Sequence, residues 1–381
     1  MPIPFRHFRA LGLPLLLSFA LVAGACGGGD ADEGTTAVET ADGGTGTELT
    51  ATEGAPAEDA APSGAAATQA SGESCYEGET ATFVVSTPVG GGFDTIARAI
   101  APYLEEELGA TVVVENQVGA GGLLALNSLA TAEPDGLRFD IHTGTGTLGS
   151  VLGGAEGVNF DVMDLSFVGR VVADERVLVT SAEGDLDTID DVLTAGRPLL
   201  YGATGPGGND YIDASVLLPT LGVDGEIVTG FTSGSETGLA LTAGDIDLAS
   251  GSLGSRLGAI EAGDHIPLLA IGSERLKQFP DVPALTELDL DEESQAVAQA
   301  HSDLQAMGRM IWAPPGVPQD CLAELTTAFA NVLQNPDLVT ELAAQNHEVG
   351  WVPGQEMRET AESLLNAPPR YVELLQGASG G

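Results

Sequence analysis

The chain opens its patterned region with a short apolar run over 82–86. It passes through the glycine turn Gly90-Gly91-Gly92 and settles into the three-to-four spacing of an amphipathic helix over 94–108. Ile96, Ile100, Tyr103, Leu104 and Leu108 mark that helix, and Gly109 stands where a helix commonly ends. A β-branched strand follows over 111–115, then a second glycine turn, Asn116-Gln117-Val118-Gly119-Ala120-Gly121-Gly122, and a helix over 123–132. Glu133-Pro134-Asp135-Gly136 makes a turn before a strand over 139–142. Strand, glycine turn and helix therefore alternate, which predicts an α/β fold with a mostly parallel sheet. Ligands of such open sheets bind at the carboxyl ends of the strands, where these turns lie.

The second half repeats the scheme. Strands are expected over 165–172, 176–180, 199–202, 226–229, 246–249 and 268–271, with helices over 185–194, 211–221 and 239–242. The strand at 199–202 enters Ala203-Thr204-Gly205-Pro206-Gly207-Gly208-Asn209-Asp210, a turn built like the first. The strand at 226–229 enters Gly230-Phe231-Thr232-Ser233-Gly234-Ser235. Two similar halves suggest two lobes with a ligand cleft between them. Residues 289–305 are helical in period, 310–313 a strand, and 319–333, 336–345 and 355–365 a helical tail expected to pack on the first lobe.

The glycine turns carry the candidate chemistry. Three consecutive glycines let a ligand approach the backbone, and the helix behind them offers unpaired N–H groups and a positive dipole end. Such a turn suits a carboxylate or phosphate without any Lys or Arg. Asp94 is placed to cap that helix. Gly144-Thr145-Gly146-Thr147-Leu148-Gly149 has the form of a dinucleotide fingerprint. It sits on the third strand, however, and glycines at 153, 154 and 157 argue against the clean helix the fingerprint needs.

Charge narrows the choice of partner. The formal net charge is −43, and a single lysine, Lys277, stands among the 13 basic residues. Nucleic acid and anionic lipid surfaces are poor partners for such a chain. Catalytic signatures are missing too. There is no G-K-[ST] loop and no G-x-S-x-G elbow, and none of the five histidines is paired at a metal-ligand spacing. His142, at a strand end, is the one histidine near the expected cleft. No metal, no cofactor and no catalysis are expected.

Residues 1–26 read as a lipoprotein signal peptide. Arg6 and Arg9 precede a short apolar run, and Ala23-Gly24-Ala25-Cys26 resembles a lipobox with Cys26 as the lipidated residue. Residues 27–74 form an acidic Gly/Ala/Thr linker that should be disordered and act as a stalk. Cys75 and Cys321 remain, and in an oxidising compartment they are expected to form a disulfide.

The first glycine turn, followed by Val112-Val113-Val114-Glu115-Asn116-Gln117-Val118-Gly119-Ala120-Gly121-Gly122 and Pro134-Asp135-Gly136, resembles the substrate-binding receptors of tripartite tricarboxylate transporters, the Bug receptors. In order, Tyr201-Gly202-Ala203-Thr204-Gly205, Ala243-Gly244-Asp245-Ile246-Asp247-Leu248, Phe279-Pro280-Asp281-Val282-Pro283 and Trp312-Ala313-Pro314-Pro315-Gly316-Val317-Pro318 resemble later segments of that family. The resemblance implies a two-lobed periplasmic-binding-protein-like α/β fold of type II, with lobe 1 over 75–177 plus 305–381 and lobe 2 over 178–304. It implies ligand contacts from Gly91, Gly92, Phe93, Asp94 and Thr95, and from Thr204, Gly205, Gly208 and Asn209. Gly230, Phe231 and Thr232 stand nearby, and Thr143, Gly144 and Thr145 contribute. The expected protein is a lipid-anchored, monomeric extracytoplasmic receptor that delivers a small carboxylate to integral membrane transporter subunits. A sensory receptor for a membrane kinase is the first alternative, and an α/β hydrolase or nicotinamide-dependent enzyme the second. Phe93 stands where the family commonly has a small polar residue, and Val89 where it has proline.

Overall fold

The computed structural model describes residues 74–206 and 208–378. The expected signal peptide, Cys26 and the linker up to residue 73 lie outside the described residues. The chain first lays down β1 (Thr80–Val85), α1 (Gly92–Leu108), β2 (Thr111–Asn116), α2 (Leu123–Leu129), β3 (Arg138–Thr143), α3 (Gly144–Leu152) and β4 (Ser166–Val172). A short link over 173–175 leads to β5 (Arg176–Ser181), α4 (Ile189–Leu193), β6 (Leu199–Gly202), α5 (Asn209–Thr220), β7 (Gly225–Val228), α6 (Gly234–Ala243), β8 (Leu248–Ser252), α7 (Leu253–Ala262) and β9 (His265–Ala270). It returns through α8 (Glu292–Ala306) to β10 (Arg309–Ala313), α9 (Gln319–Val332), α10 (Pro336–Ala344), β11 (Val349–Pro353), α11 (Gly354–Leu365) and α12 (Pro369–Ala378).

Two sheets result, a six-stranded one ordered β11-β4-β10-β3-β1-β2 and a five-stranded one ordered β7-β6-β8-β5-β9. The α/β class is as expected, but the sheets are mixed rather than mostly parallel. β1 runs parallel to β2 and β3, while β10 enters antiparallel between β3 and β4. In the second sheet β5 is the strand that opposes its neighbours. These reversed strands are the ones by which the chain changes sheets. An alternation of strand and helix cannot reveal them, because their direction is set by the crossing.

α1 buries Ile96, Ile100, Leu104 and Leu108, and Gly109 closes it in the left-handed conformation at φ 64°. Its apolar face meets α9 and the first sheet. There Phe83, Phe139 and Phe329 sit with ring centroids 4.9, 6.0 and 5.7 Å apart. Burying each such ring contributes about 1.5–3 kcal/mol. A disulfide between Cys75 and Cys321, Cα atoms 5.5 Å apart, ties the entrance of β1 to α9.

α3 forms over the fingerprint stretch itself and stops at Gly153, the first of the glycines expected to interrupt a helix. A Cβ on Gly144 would come within 2.7 Å of Met307 and 2.8 Å of Met310, so the glycine admits a close approach that tertiary packing rewards. Leu148 and Leu152 of α3 join Leu304, Trp312, Ile212, Val216, Tyr371 and Leu375 in one apolar cluster. That cluster draws on both sheets' helices. The last helix, α12, therefore packs on α5 and α8 as well as α3, and the tail does not rest on the first sheet alone. α7, β11 and α12 were not anticipated, and the helix expected over 185–194 shortens to α4.

Where the chain passes between the sheets, one carboxylate gathers the crossing elements. Asp213 of α5, 0 % exposed, accepts from Arg176 Nε of β5 at 3.0 Å and from Ser250 Oγ of β8 at 2.6 Å. From α8 it is met by His301 Nε2 and Gln305 Nε2, both at 3.1 Å. The acceptor-only carboxylate puts a proton on His301 Nε2, and His301 Nδ1 lies 3.2 Å from the Tyr371 hydroxyl of α12. Burial alone would raise the Asp213 pKa. The Arg176 guanidinium and the bond from His301 outweigh it and hold the carboxyl at about 2.

Asp213→Ala strands a buried guanidinium, so it should lower unfolding stability by about 3–5 kcal/mol in urea titrations. The carboxyl's folded pKa is depressed below its ordinary unfolded value. Its contribution is therefore complete above about pH 4 and is lost as pH falls toward 2. Urea midpoints measured between pH 5 and 2.5 should fall less steeply in Asp213→Asn than in the parent; equal slopes would contradict this assignment.

Candidate functional site

Strand direction puts the ends of β1 and β3 on one rim of the first sheet, and the ends of β6, β7 and β8 on one rim of the second. The glycine turns occupy both rims.

The first turn runs from Ser86 to Gly91. Gly91 is the N-cap of α1, with extended backbone and no side-chain cap. Asp94 is thus not the cap, which corrects the expectation. It lies at the third helical position, 2 % exposed, and reaches back to accept from the Gly90 N–H at 2.8 Å. Gly90 has φ +81°, a conformation that favours glycine. The same carboxylate accepts from Arg98 Nε at 2.9 Å and Asn116 Nδ2 at 2.9 Å, and Asn116 Nδ2 also bonds the Thr87 carbonyl at 2.9 Å. The Arg98 hydrogen bond, above all, holds the Asp94 carboxyl at about 2 against burial. Asp94 therefore fastens the turn, its oxygens taken up by protein donors. The amides of Gly92 and Phe93 precede the first intrahelical donor, Thr95 N, which bonds the Gly91 carbonyl at 2.9 Å, and no side chain caps them.

The second turn is built on the same plan. Gly208 is the N-cap of α5, again extended and without a side-chain cap. Asp210, buried, accepts from Thr204 N at 2.9 Å and from Thr204 Oγ1 at 2.6 Å. A Cβ on Gly208 would meet Thr204 Oγ1 at 2.4 Å, so the fastening requires glycine there. On the next strand end, Thr232 N and Oγ1 both bond Glu236 at 2.6 and 2.8 Å, and Gly230 has φ +107°. Phe231 packs into the core beside α6.

Thr143, Gly144 and Thr145 are used differently. Thr143 Oγ1 caps α3 by accepting from Gly146 N at 3.1 Å, Gly144 N donates to the Gly308 carbonyl at 2.7 Å, and Thr145 Oγ1 donates to the Leu304 carbonyl at 3.0 Å. Their polar groups are spent on internal packing. The glycines at 144 and 146 lie inside a helix rather than in a phosphate-binding turn. His142 is buried beneath Gly122, 3.6 Å from Asp140, and is a core residue.

Sequence reasoning missed Arg309. It opens β10 opposite Thr143, and its guanidinium lies 4.8 Å over the Phe93 ring. Nη1 is 3.1 Å from the point a Cβ of Gly92 would occupy. His347 flanks the same spot, with Nε2 3.4 Å from Thr95 Oγ1, and burial followed by the nearby Arg309 charge pushes it down to about 4. Beside them opens a cavity of about 700 Å³, bounded by the loop before β11 on one side and the start of α7 on the other. The reading of the turn as needing no Lys or Arg did not foresee the guanidinium that lies against it. Only a lone Arg at the mouth of an apolar strand hinted at it. Among the described residues no helix is long and apolar enough to cross a membrane, and no group of three or more His, Cys, Asp and Glu could hold a metal ion.

Asp94→Ala removes bonds to Gly90, Arg98 and Asn116 together. It should cost about 1–3 kcal/mol of stability in urea titrations and speed hydrogen exchange at the Gly90 amide. An unchanged Gly90 exchange rate would contradict the fastening role.

A family model described as the tripartite tricarboxylate transporter family receptor matches residues 96–372. A protein of the TAR-I ttuE-ttuC' intergenic region of Agrobacterium vitis is 26% identical over 300 residues, covering 77% of this chain and 82% of its own. Protein BugT of Bordetella pertussis is 25% identical over 278 residues, covering 71% and 81%. Among solved structures, a TctC solute-binding protein from Polaromonas superposes with TM-score 0.66 at 20% identity, over 79% of this chain and 98% of that one. MatC from Rhodopseudomonas palustris with bound malate gives 0.55 at 24%, over 78% and 99%. An R. palustris protein with adipate gives 0.58 at 21%, over 79% and 97%. The structural likenesses concern the fold, that of periplasmic solute-binding proteins. The family match runs from α1 into α12, and on it the chain belongs to the tripartite tricarboxylate transporter receptor family.

Proposed function

We propose that this receptor captures a small carboxylate between the glycine turns of its two sheets and delivers it to the membrane subunits of a tripartite tricarboxylate-type transporter. The observation that carries this reading is the pairing of α1 and α5. Each begins behind a glycine turn with no side-chain cap, and each turn is fastened by an Asp of the helix it precedes. In this reading two positive helix ends without side-chain caps are complementary halves of an anion site. Malate and adipate in two proteins of the same fold support the choice of carboxylates.

In this reading residues 75–177 with 305–381 and residues 178–304 are two lobes that close on the ligand. Gly91, Gly92, Phe93 and Thr95 contact it from the first lobe. Thr204, Gly205, Gly208 and Asn209 contact it from the second, with Gly230, Phe231 and Thr232 at the edge. Asp94 shapes the first turn. A signal peptide over 1–26 and lipidation at Cys26 would hold the receptor on the outer face of the membrane by a stalk.

A ligand that binds only the native state raises stability by mass action, about 2.7 kcal/mol at a hundredfold excess over Kd. A thermal-shift series with malate, succinate, adipate, citrate and benzoate should therefore raise Tm for at least one acid. Nicotinamide cofactors should have no effect. A rise with the cofactors alone would overturn the reading in favour of an enzyme.

A further inference from the structure

Each sheet has two outer strands, and three of the four are protected against further pairing. β11 ends in Pro353 and breaks register with β4. β9 carries Pro267, and its last residue, Ala270, bridges to Ala284. β7 has only four residues. Proline, irregularity, cover and shortness are the usual ways of closing a sheet edge. β2 has none of them. It has six residues and no proline, keeps register with β1 throughout, and carries Val112-Val113-Val114 in its middle.

The alternation of the parallel ladder sets which of its groups are open. At the two ends of β2, the Thr111 and Gln117 amides bond the Glu79 and Val85 carbonyls, both at 2.9 Å. Thr111, Val113 and Glu115 therefore turn their backbone groups toward β1, and Val112, Val114 and Asn116 turn theirs away from it. Among the described residues only one of these three outward amides is bonded: Val112 N donates to Glu105 Oε1 of α1 at 2.9 Å. The amides of Val114 and Asn116 stay open.

Apolar surface and charge decide what pairs there. The Val113 side chain is 47 % exposed and offers a contact beside the open backbone. Glu106, Glu107 and Glu115 are exposed around the strand, and Glu105 reaches its edge. Arg98, bonded to Asn116 Oδ1 at 3.0 Å, is already paired with Asp94. A second copy of a chain of net charge −43 is therefore opposed at this edge, and an extended segment carrying Lys or Arg is favoured.

We infer that the free edge of β2 is a docking site at which an extended, basic segment of a partner protein adds as a seventh strand to the first sheet. Main-chain bonds at Val114 and Asn116 supply the affinity, and Val113 with the surrounding acids the selectivity. The edge ends at Asn116, whose Nδ2 holds both Asp94 and the Thr87 carbonyl of the first glycine turn. A strand seated along Val114 and Asn116 thus bears on the residue that fastens that turn.

The test uses the full chain and a capped hexapeptide of alternating lysine and valine, with a copy whose middle valine is proline as control. Titration calorimetry measures affinity, and hydrogen exchange locates the contact. At saturation the peptide should slow exchange of the Val114 and Asn116 amides at least about 10-fold and leave those of Val113 and Glu115 unchanged. The proline copy should not bind. Val114→Pro removes the central open donor where an outer strand tolerates proline, and should weaken peptide binding at least about 5-fold. Glu115→Lys leaves the ladder intact and should weaken it about 2- to 5-fold, with a smaller response to added NaCl than the parent. Binding without protection of Val114 and Asn116, affinity unchanged in both variants, or no binding overturns the docking edge. Concentration-dependent dimers of the parent in sedimentation, abolished by Val114→Pro, overturn the basic partner in favour of a second copy.

Discussion

The structure depends on the Asp213 carboxylate. It is an acceptor shared by β5, where the chain enters the second sheet, by α8, which leads it back, and by β8 beside β5. Through His301 it also reaches Tyr371 of α12. A buried charge is retained only if its partners are all in place, so the network specifies how these elements meet as much as it stabilises them. The apolar cluster of Leu148, Ile212, Leu304, Trp312 and Tyr371 surrounds the passage with matching packing. The rims on either side are thereby set by interior contacts, and the turns on them are free for ligand.

The turns use their own acids to the same end. Asp94 and Asp210 take no part as caps of the usual kind. Each ties the loop before its helix, and Asp210 also takes the Tyr211 amide at 2.9 Å, while neither helix has a side-chain cap at its N-cap residue. In a chain with so few cations, dipoles and amides are an economical way to attract an anion. Arg309, placed against Gly92, strengthens the first-sheet half of that field.

Much of this was legible in the sequence. The strand, glycine turn and helix alternation gave the α/β class and both principal turns, because these depend on local conformational freedom and periodicity. The reversed direction of β5 and β10 was not legible, since crossing is a property of the whole path. α3 was missed because Gly144, Gly146 and Gly149 read as a fingerprint turn, whereas they lie inside the helix and Gly144 serves close packing against Met307 and Met310. Asp94 was recognised as belonging to the turn, but its role was mistaken, because Asn116 and Arg98 reach it from another strand and from a later helical turn. Arg309 lies more than 200 residues from the turn it touches, and nothing in its neighbourhood announces that contact.

Capture by paired helix ends can be observed directly at the amides. Nitrogen-15 labelled protein titrated with malate or adipate should show its largest amide shift changes at Gly92 and Phe93 on one side and at Gly208 and Asn209 on the other, saturating together with a single Kd. Saturable binding that moves other amides and leaves both of these pairs unperturbed would contradict capture between the two glycine turns.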